Sequence, residues 1–154
     1  MASQVNKMEL TDKDYLALTL IGEARDQPIE GIVGVASVIR NRVLSSDPNK
    51  NYKDICLSPK QFSCWNSDDP NSVLLQKLIV DIKNDTKLND PSYKQCYAVA
   101  DAVYNHEFKD NTHGAKNYVT KERYNLAHTR KAKEDEWIIN MQPVVTLGAH
   151  IFLV

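Results

Sequence analysis

The chain has 154 residues, a length that suits one domain and buries enough surface to fold without a metal or disulfide staple. Nineteen Lys and Arg stand against twenty Asp and Glu, and a net charge of −1 offers no basic excess for a nucleic-acid partner. With 42% hydrophobic and 25% charged residues, disordered, collagen-like and long coiled-coil chains are excluded.

In chain order, residues 1–11 hold no apolar run of the ~7–15 residues that a secretory signal needs, and they read as a loose lead. No window approaches the ~18 apolar residues of a membrane span. Thr11 followed by Asp14 marks a helix start, an oxygen side chain to cap and an acid in the first turn. Leu16, Leu20 and Ala24, with Tyr15, Leu18 and Ile21, recur at three- and four-residue spacing and predict a helix from Asp12 to about Ala24. Pro28 suits a first helical position. Residues 29–44 follow as a second helix, apolar nearly all round and so expected at the buried centre, with Gly31 and Gly34 permitting close approach.

Residues 45–51 read as loop. Residues 52–69 are irregular, fastened to the body by Tyr52, Ile55, Leu57, Phe62 and Trp65. Ser72 is the expected cap of a third helix with a stripe of Leu75, Leu78, Ile79 and Ile82. Asp90-Pro91 opens a fourth, with Cys96, Ala100 and Val103 on one face. Residues 111–117 form a polar loop around Gly114. Val144-Val145-Thr146-Leu147, then Gly148-Ala149, then His150-Ile151-Phe152-Leu153 carry a two-residue hairpin signal. The expected fold is mainly α with a small C-terminal β-hairpin.

Glu23 falls at the end of the first helix, directly after Leu20-Ile21-Gly22. A carboxyl against apolar walls has its charged form penalised and can donate a proton near neutral pH, as glycoside cleavage requires. The plain alternative is a helix-end glutamate paired with Arg25 or Arg42. His106-Glu107 opens like the zinc motif His-Glu-x-x-His, but position 110 is Asp110 and the second ligand is missing. His106, His113, His128 and His150 share no ligand spacing, and there is no phosphate loop or Gly-x-Ser-x-Gly elbow. No metal or other cofactor is expected.

Cys56, Cys64 and Cys96 make an odd number at irregular spacing and read as reduced thiols, though Cys56 and Cys64 are close enough in sequence to pair. Lys121, Arg123, Arg130, Lys131 and Lys133 run into Glu134-Asp135-Glu136 and read as a solvated face of mixed sign. Tyr118, Tyr124 and Trp137 nearby keep attraction to an anionic polymer open. Gln61-Phe62-Ser63-Cys64-Trp65 packs an amide, two aromatics and a hydroxyl into five residues, which suits a sugar-binding loop and equally a set of core anchors.

Several of these segments together resemble one family. Leu20-Ile21-Gly22-Glu23-Ala24-Arg25, Pro28 with Glu30-Gly31, and Val35-Ala36 with Val38 and Asn41-Arg42-Val43 look like the opening motif of the SleB/CwlJ-type cell-wall hydrolases, the catalytic domains of spore-cortex-lytic enzymes. Pro59 with Gln61-Phe62-Ser63-Cys64-Trp65 resembles the second family block. Asn105-His106 with Phe108, Gly114-Ala115 with Tyr118, and Trp137 match later positions, and Leu147-Gly148 with His150 and Phe152 match the closing hairpin. The resemblance covers residues 14–154. It departs at Lys116-Asn117, where the family usually carries a further aromatic.

The resemblance implies a peptidoglycan-cleaving enzyme, a single lysozyme-like, lytic-transglycosylase-like domain over residues 1–154. Glu23 maps onto the family's catalytic acid. Gln61, Phe62 and Ser63 would line the glycan cleft, with Tyr118 and His150 near the acid. Hydrolysis needs a second carboxylate ~5–9.5 Å across the bond. Asp26 and Glu30 are the acids close in sequence, and Glu30, one turn into the next helix, is expected to face elsewhere. The implied route is therefore transglycosylation, with Glu23 as sole acid/base and the muramic 6-hydroxyl as nucleophile.

A muramidase using water, a non-catalytic glycan-binding module and a virion-structural module remain the alternatives. Expected partners are peptidoglycan glycan strands, with no nucleic acid, no stable membrane insertion and a monomeric state. With no export address, the chain reads as a bacteriophage endolysin made in the host cytoplasm and acting at the wall or periplasm, a virion-borne lysin being the rival.

Overall fold

The computed structural model describes residues 9–59 and 61–154. The loose lead expected over residues 1–11 falls largely outside them. Of its last residues, Leu10 packs against the core and Thr11 caps the first helix. That helix, α1 (Asp12–Ala24), opens with a reciprocal box: the Asp14 N–H donates to Thr11 Oγ1 at 3.1 Å, and the Thr11 N–H donates to Asp14 Oδ2 at 2.8 Å. Helix α2 (Ile29–Ser45) follows, with Pro28 as its N-cap rather than its first helical residue. The amides of Gly31 and Ile32 donate to the Pro28 carbonyl.

Residues 31–40 of α2 are buried without a break, as expected of a central helix. Residues 16–21 of α1 are buried in the same way. The centre is therefore shared by both helices, because each is apolar on more than one face.

Residues 52–69 are more ordered than expected. They contain α3 (Tyr52–Cys56), opened by an Asn51–Asp54 box, and a 3-10 turn at Ser63–Trp65. Tyr52, Ile55 and Phe62 anchor this segment in the core and Trp65 packs partly buried against it. Leu57 does not, since it falls just past the end of α3 and stays exposed. Helix α4 (Pro70–Lys83) starts at Asp69-Pro70, whose Asp69 carboxylate accepts from the Asn71 N–H at 2.8 Å. Ser72 lies buried inside its first turn rather than capping it. The order is the one that Asp90-Pro91 uses to open α5 (Pro91–Tyr104), where Cys96, Val99, Ala100 and Val103 are buried.

The C-terminal third holds β1 (Asn117–Thr120), α6 (Lys121–Arg130), α7 (Glu136–Asn140), β2 (Pro143–Leu147) and β3 (His150–Leu153). The expected hairpin forms, with Gly148 at φ +60° in the turn, where a Cβ would collide with Gln27 Oε1. It is part of a three-stranded antiparallel sheet of order β1-β3-β2 that pairs Tyr118 with Phe152 and Thr120 with His150. The sequence pattern announces neither strand β1 nor helices α6 and α7. Helix α6 buries only Ala127 and so carries almost no apolar stripe.

Val119, Ala127, Ile138 and Leu153 form a separate small core that ties α6 and α7 to the sheet. Gly34 brings α2 onto the sheet, since a Cβ there would meet Phe152 Cζ at 2.6 Å. No helix among the described residues is long and apolar enough to cross a membrane.

Candidate active site

Thr19 and Glu23 lie four residues apart on one face of α1. The loop that follows α3 is laid along this face. Trp65 Nε1 donates to the buried Thr19 Oγ1 at 3.0 Å, and its ring tilts against Tyr15 at 6.0 Å. One turn further on, the Cys64 N–H donates to Glu23 Oε2 at 3.2 Å. The approach depends on Gly22, where a Cβ would stand 2.5 Å from Cys64 Cβ and 2.6 Å from its Sγ. The glycine before the glutamate is thus the gap through which the loop backbone reaches the carboxylate.

Strand β1 supplies the second donor. Tyr118 Oη donates to Glu23 Oε1 at 3.0 Å. Burial, and then the Glu23 charge, push the Tyr118 phenol well above its ordinary range, so it stays a proton donor to Glu23. The end of α2 fixes the chain leading into this strand. Asn41 Nδ2 donates to the Ala115 carbonyl at 2.9 Å, and Arg42 Nε donates to the Lys116 carbonyl at 2.7 Å. Arg42 Nη1 also donates to Gln61 Oε1 at 2.8 Å, and its guanidinium lies 5.2 Å over the Phe62 ring. Arg42 therefore ties the Gln61 loop to β1, the two segments that deliver the donors to Glu23. Neither Arg42 nor Arg25 forms a salt bridge to Glu23 among the described residues; Arg25 Nη1 donates to Ile21 O and Asn71 Oδ1 instead.

His150, on the central strand β3, is 6% exposed and meets Tyr118 edge-on at 4.8 Å. Its Nδ1 is buried without a hydrogen-bond partner. Burial lowers its pKa against the opposing charges of Glu23, Asp26 and Glu122, so the ring at neutral pH is the uncharged imidazole. It braces the phenol rather than adding a charge beside the acid.

These groups line one cleft of about 590 Å³. Glu23, Gln61, Phe62, Ser63, Tyr118 and His150 all lie on it; Phe62 forms a buried wall beneath Arg42, and Ser63 is exposed. The cleft also takes Arg42, Asn66, Asn117, Thr120, Arg123 and Trp137. Arg123 and Trp137 belong to the mixed-charge stretch that reads first as solvated surface, with attraction to an anionic polymer as its rival, and the structure brings both to the cleft. The signal for them was the set of aromatics, Tyr118, Tyr124 and Trp137, around the basic residues.

Glu23 is the sole Asp or Glu among the described residues lining this cleft. Asp26 lies with Glu23 on a smaller adjoining pocket of about 210 Å³, and the exposed Glu30 lines neither. Among the described residues no three His, Cys, Asp or Glu side chains gather as a metal donor set. Cys56, Cys64 and Cys96 are all free and buried, so Cys56 and Cys64 do not pair.

A family model described as cell wall hydrolase matches residues 26–153. The chain belongs to the cell wall hydrolase family. It is thus an enzyme of peptidoglycan cleavage. Among solved structures, this cell wall hydrolase is similar to the catalytic domain of the germination-specific lytic transglycosylase SleB from Bacillus anthracis. That match has 25% identity and a TM-score of 0.59, covering 96% of this chain and 97% of that one. The catalytic domain of the Bacillus cereus SleB protein shares the fold at 20% identity and a TM-score of 0.57, with both chains covered in full. No curated protein sequence matches this chain.

Proposed function

We propose that this cell wall hydrolase cleaves the glycan strand of peptidoglycan by transglycosylation, with Glu23 as its single acid/base. The observation that carries the reading is the carboxylate count of the cleft: Glu23 alone among the described residues, where hydrolysis through a carboxylate pair needs a partner ~5–9.5 Å away. The likeness to a lytic transglycosylase catalytic domain supports it.

Glu23 gives its proton to the glycosidic oxygen as the C1–oxygen bond breaks. The resulting carboxylate is held by the Cys64 amide and the Tyr118 hydroxyl. It then takes the proton of the muramic 6-hydroxyl as that oxygen bonds to C1, and the acid is regenerated with no water consumed. Gln61, Ser63 and the Phe62 wall contact the glycan, and the neutral His150 keeps Tyr118 aimed at the carboxylate. Purified sacculi treated with the wild type should release soluble glycan fragments, and Glu23→Gln should release none while still unfolding cooperatively. Fragment release by a folded Glu23→Gln would sink the assignment.

One observation favours a second reading, in which water is the nucleophile: Asp26 shares the adjoining pocket with Glu23. Asp26→Asn separates the two, since transglycosylation predicts full activity and a muramidase using Asp26 predicts its loss. We also read the enzyme as a bacteriophage endolysin acting as a single catalytic domain. Expression in a bacterial host should then lyse the cells only together with a separate pore former.

A further inference from the structure

The small core of Val119, Ala127, Ile138 and Leu153 holds α6 and α7 in place, and what these helices present to the cleft is Arg123 and Trp137. The Arg123 guanidinium lies 5.6 Å over the Trp137 ring, and its Nη2 donates to Asp135 Oδ1 at 3.2 Å. Asp135 is tucked away at 15% side-chain exposure while Arg123 keeps 50%. The aspartate occupies one of five guanidinium N–H groups and aims the rest. Trp137 is 38% exposed although Ile138 beside it is fully buried. A half-exposed indole with a half-free guanidinium over its ring, on a cleft whose sole acid among the described residues is Glu23, fits a sugar ring bearing a carboxylate.

Strand β1 sets the order. Tyr118 holds Glu23, whereas Thr120, two residues on, caps α6 by accepting the Arg123 N–H at 3.1 Å. Two residues of strand span about 7 Å, so the helix that carries Arg123 starts further along β1 than the tyrosine that holds Glu23. A ligand meeting both groups extends along the strand.

We propose that Arg123 and Trp137 form a separate glycan subsite, Trp137 stacking on a pyranose ring and Arg123 binding a carboxylate carried by that ring's substituent. The inference rests on the glycan-cleavage reading and names which part of the polymer the cleft recognises. On peptidoglycan the carboxylate has two sources, a bare lactyl group on the muramic ring or an acidic residue of the stem peptide attached to it.

The test is equilibrium binding by the full chain carrying Glu23→Gln, with three oligosaccharides of equal length. One is a neutral N-acetylglucosamine oligomer, one carries free lactyl groups on alternate rings, and one carries stem peptides on them. At least one acidic ligand should bind roughly tenfold more tightly than the neutral one, and the stronger of the two identifies the source. Adding Arg123→Met should abolish that preference, whereas adding Trp137→Ala should weaken all three.

A second readout needs no Arg123 variant. The Trp137 indole N–H resonance, told from that of Trp65 by its loss in Trp137→Phe, should shift saturably with the acidic ligand. Equal affinity for all three ligands, a preference that survives Arg123→Met, or an unmoved Trp137 signal at saturation each overturns the subsite. Failure of the cleavage reading would show separately, as wild type that releases nothing from sacculi.

Discussion

Gly22→Ala puts the tightest contact behind the acid under stress. The added Cβ would lie 2.5 Å from Cys64 Cβ, roughly 1 Å inside the ~3.5–4.0 Å optimum for two carbons. Gly22 is helical, so on propensity alone alanine should stabilise by about 1 kcal/mol. Overpacking a filled site costs about 1–3 kcal/mol, and the obstructing atom is a Cβ fixed to the backbone rather than the tip of a flexible side chain. The clash should win, and the net change should be destabilising by about 1 kcal/mol, the middle of a difference of roughly 0–2 kcal/mol.

Relief by separating Cys64 from α1 stretches the 3.2 Å bond from its N–H to Glu23. A hydrogen bond to a charged group contributes about 1.5–3 kcal/mol, so activity should fall at least tenfold. Urea unfolding and the rate of sacculus clearing measure the two effects on the same preparation. Cys64→Gly removes the obstructing Cβ, and the double variant should recover part of both losses, a coupling that independent sites would lack. If Gly22→Ala were more stable than the wild type and equally active, the account of how the loop reaches Glu23 would be wrong.

Tyr118→Phe keeps the ring against His150 and Phe152 but loses the donor to Glu23, so sacculus clearing should slow roughly tenfold or more with little change in unfolding midpoint. Gly34→Ala sets a Cβ 2.6 Å from Phe152 Cζ inside α2 and, after the gain in helix propensity, should destabilise by about 1 kcal/mol in urea unfolding. His150 has its pKa lowered by burial, so the unfolded chain binds the extra proton first as pH falls below the ordinary histidine value of ~6.5. The stability that depends on neutral His150 is therefore complete above that value and lost on acidification. Unfolding free energy measured from pH 7.5 down to 5 should fall less steeply in His150→Gln than in the wild type.

The parts legible in the sequence were those whose pattern is local. The cap at Thr11, the Asp90-Pro91 start, the unbroken apolar run of α2 and the Gly148 turn each lie within a few residues. Asp69-Pro70 carried the same local sign as Asp90-Pro91, and Ser72 drew attention from it. Strand β1 was not legible, because four residues after a polar loop become a strand only when β3 is there to pair with them.

The cleft divides along the same line. Glu23 stood out by its apolar helix. The two groups that bind it, an amide from position 64 and a hydroxyl from position 118, lie 41 and 95 residues away. Arg42 offered itself as a partner for Glu23 and instead bonds neutral oxygens of Gln61 and Lys116, a choice set by packing rather than by charge. Arg123 and Trp137 are brought to the cleft by a core of four side chains spread over residues 119–153, which no short window displays.

The central claim, one acid and no water, is tested most directly by digesting sacculi in heavy-oxygen water and weighing the muramic ends of the fragments by mass spectrometry. The account predicts anhydro ends that carry no heavy oxygen, with Glu23→Gln releasing no fragments. Reducing ends labelled from the solvent would contradict it.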